Sequence, residues 1–484
     1  MYRIVEGNFR GLTDVCKFLD LINDPPAELR DLFDNKSDIY VSRAPGRLDV
    51  MGGIADYSGS LVLQMPIAEA TLAAVQKSTE GSVKILSLSP DSTKDLVFEL
   101  DVSDLEVNGE PRNYESAKAF FAEDGSSHWA SYAAGVFFVL SKELGITFQC
   151  GARILISSTI RIGKGVSSSA AIEVAVMNAV CAAYGIDVDP RQLALLCQTV
   201  ENQIVGASCG VMDQMSTNCG VENSLLSILC QPAEMRGVFE IPNSLEFWGI
   251  DSGVRHAVVG SDYSRVRIGA FMGYRIIAEL AGLNAERIKD GLVRIDDARW
   301  GGYLCNVRPA EYEPDFSSLI PNEIGGADFI GKYGGTTDQS TKIDSSKMYA
   351  VKAPTEHAIY ENSRVSRFSE LLAAPVDDIR SDELGNLMFR SHSSYSDCGL
   401  TEPGTDRIVE LVRQYRASGL FGARITGGGS GGTVAILARR GSDQVISRLA
   451  EQYADETERR PYTFHGSSPG SSVFGCLKVR WFES

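Results

Sequence analysis

Residues 151–184 read GARILISSTIRIGKGVSSSAAIEVAVMNAVCAAY, and this stretch decides the fold class. The apolar, β-branched centre of residues 151–157 predicts a strand, and the apolar run of residues 170–184 has the length of a helix. A loop of glycine and serine joins them at residues 163–169. Such a loop lets backbone N–H groups and a helix N-terminus surround an anion. The segment therefore predicts a phosphate-binding loop in a fold that mixes helices and strands.

This loop does not match the two common nucleotide-binding fingerprints. A P-loop would need glycine where Ser158 stands, and a dinucleotide-binding loop would need a third glycine at Ser168. A flexible turn with a helix-capping serine is the plain alternative for a lone G-x-G. Three serine hydroxyls at the junction favour phosphate instead, because they can bind phosphate oxygens or a magnesium ion. The loop residues are Gly163, Lys164, Gly165, Val166, Ser167, Ser168 and Ser169.

A second helix is predicted directly after this unit. Asp189 can cap it, Pro190 suits its first turn, and apolar residues form one stripe over residues 193–204. Glu201 lies near its end, and Asp213 follows twelve residues later. Taken alone, each of these two carboxylates is better explained by a solvated or capping role than by catalysis.

A second glycine-rich loop lies between predicted strands at residues 423–426 and 433–437. Its letters satisfy G-x-G-x-x-G, but a strand follows instead of a helix, so the dinucleotide-binding context fails. A hairpin with a wide turn is the structural alternative. Five glycines in six residues lose much backbone entropy on folding. Such a cost is expected where another group must approach the backbone closely, so we expect such a contact at this loop. The loop is Gly427, Gly428, Gly429, Ser430, Gly431 and Gly432.

Further elements can be predicted from local pattern. Residues 39–41 form a strand that leads into a Pro-Gly turn with Arg47, and residues 59–76 read as two strands. Residues 1–38 are polar with a helical middle. Residues 300–350 are rich in Gly, Pro, Ser and Asp, and predict a long insertion or exposed loop.

Composition narrows the class of protein. The 484 residues are enough for two or three domains, and 44% hydrophobic residues exclude wholesale disorder. A formal charge of −17 argues against nucleic acid and anionic membranes as partners. The chain shows neither a secretory signal nor an apolar stretch of spanning length. Ten scattered cysteines without a C-x-x-C pair predict reduced thiols, so we expect a cytoplasmic protein.

Three motifs in order together resemble the GHMP small-molecule kinases and, within them, the galactokinase branch. Residues 44–57, APGRLDVMGGIADY, are similar to the galactokinase signature APGRVNLIGEHTDY. Residues 163–171 are similar to the family's ATP loop, and residues 424–432 to its C-terminal glycine motif. The resemblance implies a two-domain α+β fold. Its active site would lie in the cleft between the N-terminal domain and a ferredoxin-like C-terminal domain.

The resemblance also implies a domain division. We expect an N-terminal helical extension over residues 1–38 and an N-terminal kinase domain over residues 39–250. A C-terminal kinase domain over residues 251–484 would carry the insertion near residues 300–350. The implied partners are a small-molecule sugar and ATP, with Mg²⁺ as cofactor and without nucleic acid or membrane.

The same resemblance implies roles for individual residues. Asp213 matches the catalytic aspartate that accepts the proton of the sugar's anomeric hydroxyl, and Arg47 matches the arginine that holds this carboxylate ionised. Ser169 and Glu201 match the magnesium ligands, and residues 163–169 match the loop that holds the triphosphate. The expected substrate-binding residues are Asp56, Gly53, Ile54, Tyr263 and Gly210.

One departure from the galactokinase signature bears on the substrate. Gly53 and Ile54 stand where galactokinases carry the Glu-His pair that holds the sugar's 6-hydroxyl. L-Arabinopyranose has the ring configuration of galactose without the hydroxymethyl group. A galactose hydroxymethyl would meet an apolar wall here, at about 1–3 kcal/mol for an unpaired hydroxyl. This variant and the insertion resemble the plant-type L-arabinokinases, which implies ATP-dependent phosphorylation of the anomeric hydroxyl of L-arabinose.

Two alternatives remain open at this point. One is another sugar-1-kinase, such as a galactokinase with a relaxed site or a uronic-acid kinase, although a uronate calls for Arg or Lys near residues 53–54 and none is there. The other is a non-catalytic regulator that binds sugar and ATP. Asp213, Arg47 and the serines of the phosphate loop are all present, which favours the kinase.

Overall fold

The strands follow from the β-branched and apolar segments of the chain. The computed structural model describes residues 1–88, 96–123, 125–255 and 261–483. Within these ranges the strands are β1 (Tyr2–Glu6), β2 (Ile39–Met51), β3 (Leu61–Ser78), β4 (Ser82–Leu88), β5 (Leu96–Asp101), β6 (Glu106–Val107), β7 (Glu110–Pro111), β8 (Gly151–Ser158), β9 (Ser224–Leu229), β10 (Glu234–Glu240), β11 (Leu245–Asp251), β12 (Ala285–Lys289), β13 (Gly291–Ile295), β14 (Glu323–Gly325), β15 (Gly335–Thr336), β16 (Met348–Ala350), β17 (Leu420–Ile425), β18 (Thr433–Arg439), β19 (Thr463–His465) and β20 (Cys476–Trp481).

The helices pack on the sheets through their apolar faces. They are α1 (Thr13–Asn23), α2 (Tyr114–Ala122), α3 (Ser131–Leu144), α4 (Ser168–Tyr184), α5 (Pro190–Thr199), α6 (Met212–Cys219), α7 (Ser261–Leu280), α8 (Pro309–Asp315), α9 (Gly326–Tyr333), α10 (Lys352–Leu372), α11 (Asp378–Asp397), α12 (Pro403–Gln414), α13 (Asp443–Thr457) and α14 (Ser471–Phe474). In the described part of the chain, none is both long and apolar enough to cross a membrane.

A nine-stranded sheet carries the predicted phosphate loop. Its strands run in the order β1-β20-β2-β3-β8-β4-β5, with β9 beside β3 and β10 beside β9. Helices α3 and α4 cover this sheet with a core of alanine, valine and phenylalanine. The predicted strand and helix on either side of the loop are confirmed as β8 and α4. The loop therefore emerges at a strand–helix junction of the main sheet.

A second, four-stranded sheet runs in the order β17-β18-β11-β19. Helices α12 and α13 supply apolar side chains to the core on this sheet. The second glycine-rich loop joins β17 to β18, which confirm the two predicted strands and pair antiparallel. The mixed α+β class is confirmed, with each glycine-rich loop on its own sheet.

Two local predictions were wrong. Pro45 and Gly46 lie inside β2, where the register with β3 shifts, and not in a turn. Residues 61–78 form the single strand β3, because β9 pairs with its beginning and β8 with its end. The helical middle predicted for residues 1–38 is confirmed as α1, and a strand that was not predicted, β1, precedes it and pairs with β20.

Residues 300–350 are an ordered subdomain and not an exposed loop. Aromatic residues lie among its glycines and prolines and pack against α7 and α10 in one buried core. Short strands and the helices α8 and α9 connect them. The prediction failed because spaced aromatic residues produce no periodic pattern. These buried aromatics are Trp300, Tyr312, Phe316, Phe329, Tyr333 and Tyr349.

Sheet membership also differs from the predicted domain division. Strand β11 (Leu245–Asp251) ends at the predicted boundary but belongs to the second sheet. Strand β20 lies within the bounds predicted for the C-terminal domain, yet it pairs with β1 and β2 in the first sheet. The chain therefore leaves the first sheet before β11 and returns to it at its end.

Candidate active site

A cavity opens where the two glycine-rich loops meet. The phosphate loop before α4 forms one side, and the segment after β2 and the loop before α6 form the others. Most of the residues expected at the site contribute to its wall. The lining residues are Arg47, Ile54, Asp56, Gly163, Gly165, Ser167, Ser168, Ser169, Glu201, Ser208, Cys209, Gly210, Met212, Asp213, Tyr263 and Gly428.

The phosphate loop presents hydroxyls at the start of a long helix. Ser167 has a positive φ of 61° and is the N-cap of α4, and Ser168 and Ser169 form its first turn. Within the described structure, the buried hydroxyl of Ser167 has no hydrogen-bond partner. An unpartnered hydroxyl and the positive end of a helix both suit an anionic ligand.

Two residues of the loop do not line the cavity. The ammonium of Lys164 lies 2.6 Å from the buried carboxylate of Asp251. The side chain of Val166 is buried in the core, and its carbonyl accepts a hydrogen bond from the backbone N–H of Arg47. Their side chains hold the loop in place, so the cavity receives glycine and serine only from this segment.

Arg47 and Asp213 form a bidentate ion pair in the cavity wall. The Nε of Arg47 lies 2.9 Å from Oδ1 of Asp213, and Nη2 lies 3.0 Å from Oδ2. Nη1 of Arg47 donates to the carbonyl of Gly165 at 2.7 Å. Arg47 is 2% exposed, whereas the Asp213 side chain is 20% exposed. The pair joins strand β2 to helix α6 and leaves the carboxylate accessible from the cavity.

Glu201 lies deeper in the cavity wall. It stands in a π-helical turn, residues 200–205, that continues α5. Nε2 of Gln214 donates to its carboxylate at 2.6 Å. Burial, with the nearby charge of Asp213, raises the pKa of Glu201 to about 7 against the opposing effect of the nearby Ser169 hydroxyl. Ser169 and Glu201 thus place oxygen atoms side by side, which fits the ligand preference of Mg²⁺.

Glu173 was missed from the sequence. It is fully buried on α4, and Nε2 of Gln214 bridges it to Glu201 at 3.2 and 2.6 Å. Burial raises the pKa of Glu173 well above its ordinary value. A lone acidic residue in the apolar run of α4 was the signal that could have found it, since such residues are rarely buried without a partner.

Asp56 faces the cavity from the turn after β2. Burial, with the charge of Asp213, raises its pKa to about 7 against the opposing effect of Arg267. Interactions with the backbone N–H groups of Tyr57 and Met212 also oppose the rise in the pKa of this carboxylate. A Cβ at Gly210 would overlap this carboxylate, so only glycine fits there. Gly210 therefore borders the cavity through its backbone.

Tyr263 of α7 lines the cavity near Asp56, and the 300–350 subdomain contacts α7 through Arg267 without contributing a lining residue itself. The ring of Tyr263 meets that of Tyr57 edge-on at 5.9 Å between centroids. One helical turn later, Arg267 forms a bidentate pair with Asp338 of the subdomain, with both N–O distances 2.8 Å. Nη1 of Arg267 also donates to the carbonyl of Cys209 at 3.2 Å.

Arg267 and Asp338 were also missed from the sequence. The spacing of four residues between Tyr263 and Arg267 places both on one helix face and could have pointed to Arg267. Asp338 gave no local signal, because its partner lies 71 residues away. A further contact of the subdomain, Ser208 Oγ to the carbonyl of Ser340 at 2.8 Å, also reaches the loop before α6.

Of Gly53 and Ile54, which stand in place of the Glu-His pair of the galactokinase signature, only Ile54 lines the cavity. Gly53 has φ of 47°, and its Cα faces Tyr395 and Arg424 instead. Gly53 is not among the lining residues, and its contact with substrate stays a prediction. Ile54 is 1% exposed, and its backbone N–H donates to the hydroxyl of Tyr395 at 2.8 Å.

The second glycine-rich loop contributes Gly428 to the cavity wall. A Cβ at Gly427 would lie 3.0 Å from both Nη2 of Arg47 and the carbonyl oxygen of Gly165. Gly429 packs against Leu400, and the N–H of Ser430 donates to the Leu400 carbonyl at 2.7 Å. The close approach expected at this loop is thus made by Arg47 and by the phosphate loop.

Comparison with known families finds three matching segments. Residues 27–77 match the galactokinase galactose-binding signature. Residues 131–220 match the N-terminal domain of the GHMP kinases, and residues 372–455 match their C-terminal domain. The first two segments contain Arg47, Asp56, Glu201 and Asp213, and the third contains Gly428.

Similar proteins include kinases of this family. The chain is 44% identical to an L-arabinokinase of Arabidopsis thaliana over 99% of its own length, but spans about half the length of that relative, 52%. It is 29% identical to a galactokinase of Chloroflexus aurantiacus, covering 87% of the chain and 89% of the relative. The galactokinase of Lactococcus lactis, solved with galactose, superposes with a TM-score of 0.70 at 20% identity. That superposition covers 94% of this chain and 98% of the other.

Proposed function

Because the chain belongs to the GHMP kinase family, we propose that it transfers a phosphoryl group from ATP to the anomeric hydroxyl of L-arabinose. The products would be L-arabinose 1-phosphate and ADP. The 44% identity to an L-arabinokinase supports the substrate, since it extends over almost the whole chain. The apolar wall at Ile54 supports it independently, because it offers no partner to a hydroxymethyl group.

Asp213 would act as the base. Its carboxylate is accessible from the cavity and can take the proton of the anomeric hydroxyl as the oxygen attacks phosphorus. The P–O bond to ADP breaks while the new P–O bond to the sugar forms. Arg47 holds both carboxylate oxygens of Asp213, which fixes their direction. Its positive charge also offsets negative charge on the transferring phosphoryl group.

The serine loop would hold the triphosphate. The hydroxyls of Ser167 and Ser168 and the N-terminus of α4 point to one side of the cavity, where they can bind phosphate oxygens. Ser169 and Glu201 would hold a magnesium ion, which neutralises phosphate charge when it is bound. Gln214 donates to Glu201 and would keep its carboxylate in position.

The sugar would bind between Asp56, Tyr263 and Ile54. Asp56 can accept hydrogen bonds from ring hydroxyls, and the backbone of Gly210 leaves room beside it. Ile54 would cover the position that carries no substituent in L-arabinopyranose. Positioning of both substrates and charge neutralisation are the main requirements of phosphoryl transfer.

The observation that carries this proposal is the bidentate pair of Arg47 and Asp213 beside an unpartnered serine hydroxyl and an apolar wall. The test is ATP turnover with L-arabinose, D-galactose, D-galacturonate and L-fucose. We expect L-arabinose to give the highest kcat/KM, about tenfold or more above D-galactose. Equal use of D-galactose would overturn the substrate and leave a sugar kinase. No ATP turnover with any sugar would overturn the kinase.

A further inference from the structure

We propose that Tyr395 determines which sugar is accepted, because it fills the space beside residue 53 and holds Ile54 in the cavity wall. The proposal rests on the proposed function, since the selectivity concerned is that between L-arabinose and D-galactose. Tyr395 lines no part of the cavity that the structure describes, so it would act as a positioning residue through Ile54.

Tyr395 links two segments that border the cavity. It is fully buried on α11, and its hydroxyl accepts from the N–H of Ile54 at 2.8 Å and donates to the carbonyl of Gly427 at 2.8 Å. Burial raises its pKa far above the ordinary value, so the hydroxyl keeps its proton and remains a donor. One side chain therefore holds the backbone of Ile54 and the loop that packs against Arg47.

Tyr395 also determines what residue 53 can be. A Cβ on Gly53 would overlap the hydroxyl oxygen of Tyr395 and lie 2.8 Å from its Cζ. It would also lie 2.7 Å from Nη2 of Arg424. Arg424 cannot retreat, because it is fully buried and paired with Asp49 at 2.7 Å. A glutamate at position 53, as in the galactokinase signature, is incompatible with Tyr395 in this place.

The contacts of Tyr395 and Arg424 fill the space that the glutamate of the galactokinase signature would need at position 53. The volume beside Gly53 is occupied by the Tyr395 hydroxyl and the Arg424 guanidinium, not by sugar or solvent. Of residues 53 and 54, only Ile54 therefore lines the cavity, and the hydrogen bond to Tyr395 fixes the position of its backbone. Loss of this bond leaves the buried N–H of Ile54 without a partner and frees the wall to move. A sugar with a larger substituent should then fit better.

The first test replaces Tyr395 with phenylalanine. Tyr395→Phe keeps the ring and removes the hydroxyl, and we expect the ratio of kcat/KM for L-arabinose to that for D-galactose to fall about fivefold or more. The matched control is Tyr453→Phe, because Tyr453 is also fully buried and donates to a backbone carbonyl, that of Ser252, at 2.6 Å. The control should lower stability and leave the sugar ratio unchanged. An unchanged ratio in Tyr395→Phe would overturn the proposal.

The second test asks whether Tyr395 is what excludes a side chain at position 53. Gly53→Ala is made in the wild type and in Tyr395→Leu, where leucine lacks both the ring atom and the hydroxyl that a Cβ would meet. The backbone strain at positive φ is the same in both backgrounds and cancels in the cycle. We expect kcat/KM for L-arabinose to fall at least tenfold in the wild-type background and less in Tyr395→Leu. Equal losses would overturn the proposal.

The two failures can be told apart. The sugar preference of the wild type tests the proposed substrate, whereas the change of preference on substitution tests Tyr395. A wild type without preference for L-arabinose would overturn the substrate, and the Gly53→Ala cycle would still decide the role of Tyr395 with the sugar that is turned over. Thermal unfolding of each variant shows that the comparison is made between folded proteins.

Discussion

At the scale of single residues, carboxylates of different character surround one cavity. Asp213 is held by a bidentate guanidinium and keeps one-fifth of its side chain exposed. Asp56 and Glu201 are almost fully buried, and the pKa of each rises to about 7. Burial disfavours the charged form of Asp56 and Glu201, whereas Asp213 is paired with a guanidinium and faces the cavity, which places its carboxylate to accept a proton from substrate.

Asp213→Asn should lower kcat by about 10²–10⁴-fold, because the amide keeps the shape and cannot accept the proton. Nucleotide binding should change little, since Asp213 contacts Arg47 and not the serine loop. Steady-state turnover at saturating sugar and ATP, with nucleotide binding measured alongside, checks this. Near-full turnover of the variant would remove Asp213 from the role of base.

Asp56→Asn should stabilise the protein, and more so at high pH. The folded-state pKa of Asp56, about 7, lies above its ordinary value of 3.8. Between these two values the folded state retains a proton that the unfolded state has lost, so stability falls as the pH rises. The gain in unfolding free energy should therefore be larger at pH 8 than at pH 5, by on the order of 2 kcal/mol. Urea denaturation of both proteins at the two pH values measures it, and a pH-independent gain would contradict it.

At the scale of elements, two loops on different sheets complete one site. The loop before α4 supplies hydroxyls, and the loop between β17 and β18 supplies backbone close to Arg47. The hydroxyl of Thr433, at the start of β18, donates to the Lys164 carbonyl at 2.8 Å and joins the two loops directly. Residues without side chains are required here because the backbones approach closely.

Gly427→Ala should lower kcat, because its Cβ would press on the guanidinium of Arg47 at 3.0 Å. We expect a loss of about tenfold or more, with a smaller change in the KM for ATP. The control is Gly441→Ala, which has a similar positive φ of 86° and open space around its Cβ. Both variants carry backbone strain, so the contacts of the new Cβ with Arg47 and with the Gly165 carbonyl separate them. Equal kcat values for the two variants would contradict the prediction.

At the scale of the whole molecule, the 300–350 subdomain reaches the sugar side of the cavity. Its buried Asp338 holds Arg267, which donates to the Cys209 carbonyl, and its Ser340 carbonyl accepts from Ser208. Both contacts reach the loop that precedes α6 and Asp213. The order of this subdomain and the shape of the site are therefore coupled through charged and polar contacts.

Asp338→Asn should raise the KM for sugar about fivefold to fiftyfold, because one partner of a buried bidentate pair is lost and Arg267 can shift. The KM for ATP should change less, since the hydrogen bonds of Asp338 in the described structure go to Arg267, Ser340 and Thr341. Asp344→Asn is the control within the same subdomain, because its side chain is 44% exposed. Sugar and ATP titrations of both variants check this. Equal increases in the two KM values of Asp338→Asn would contradict it.

The sequence by itself determined the parts of the protein that short-range chemistry controls. Asp189 caps α5, and small residues between a strand and an apolar helix form the phosphate loop, because both depend on neighbours along the chain. The galactokinase-like signature and the two glycine-rich loops were equally visible. These motifs were sufficient for the family, the fold class and most of the residues that line the cavity.

Only the tertiary structure decided which buried residues support the cavity wall without lining it. Tyr395 meets Gly53 across 342 residues of sequence, and Asp338 meets Arg267 across 71. Glu173 and Glu201 share Gln214 only because α4, α5 and α6 pack together. Such contacts depend on how whole elements pack, and a buried polar group gains its partner only when that packing is complete. The residue types that carry the chemistry can therefore be found in short sequence motifs, whereas the distances between them are determined by the tertiary fold.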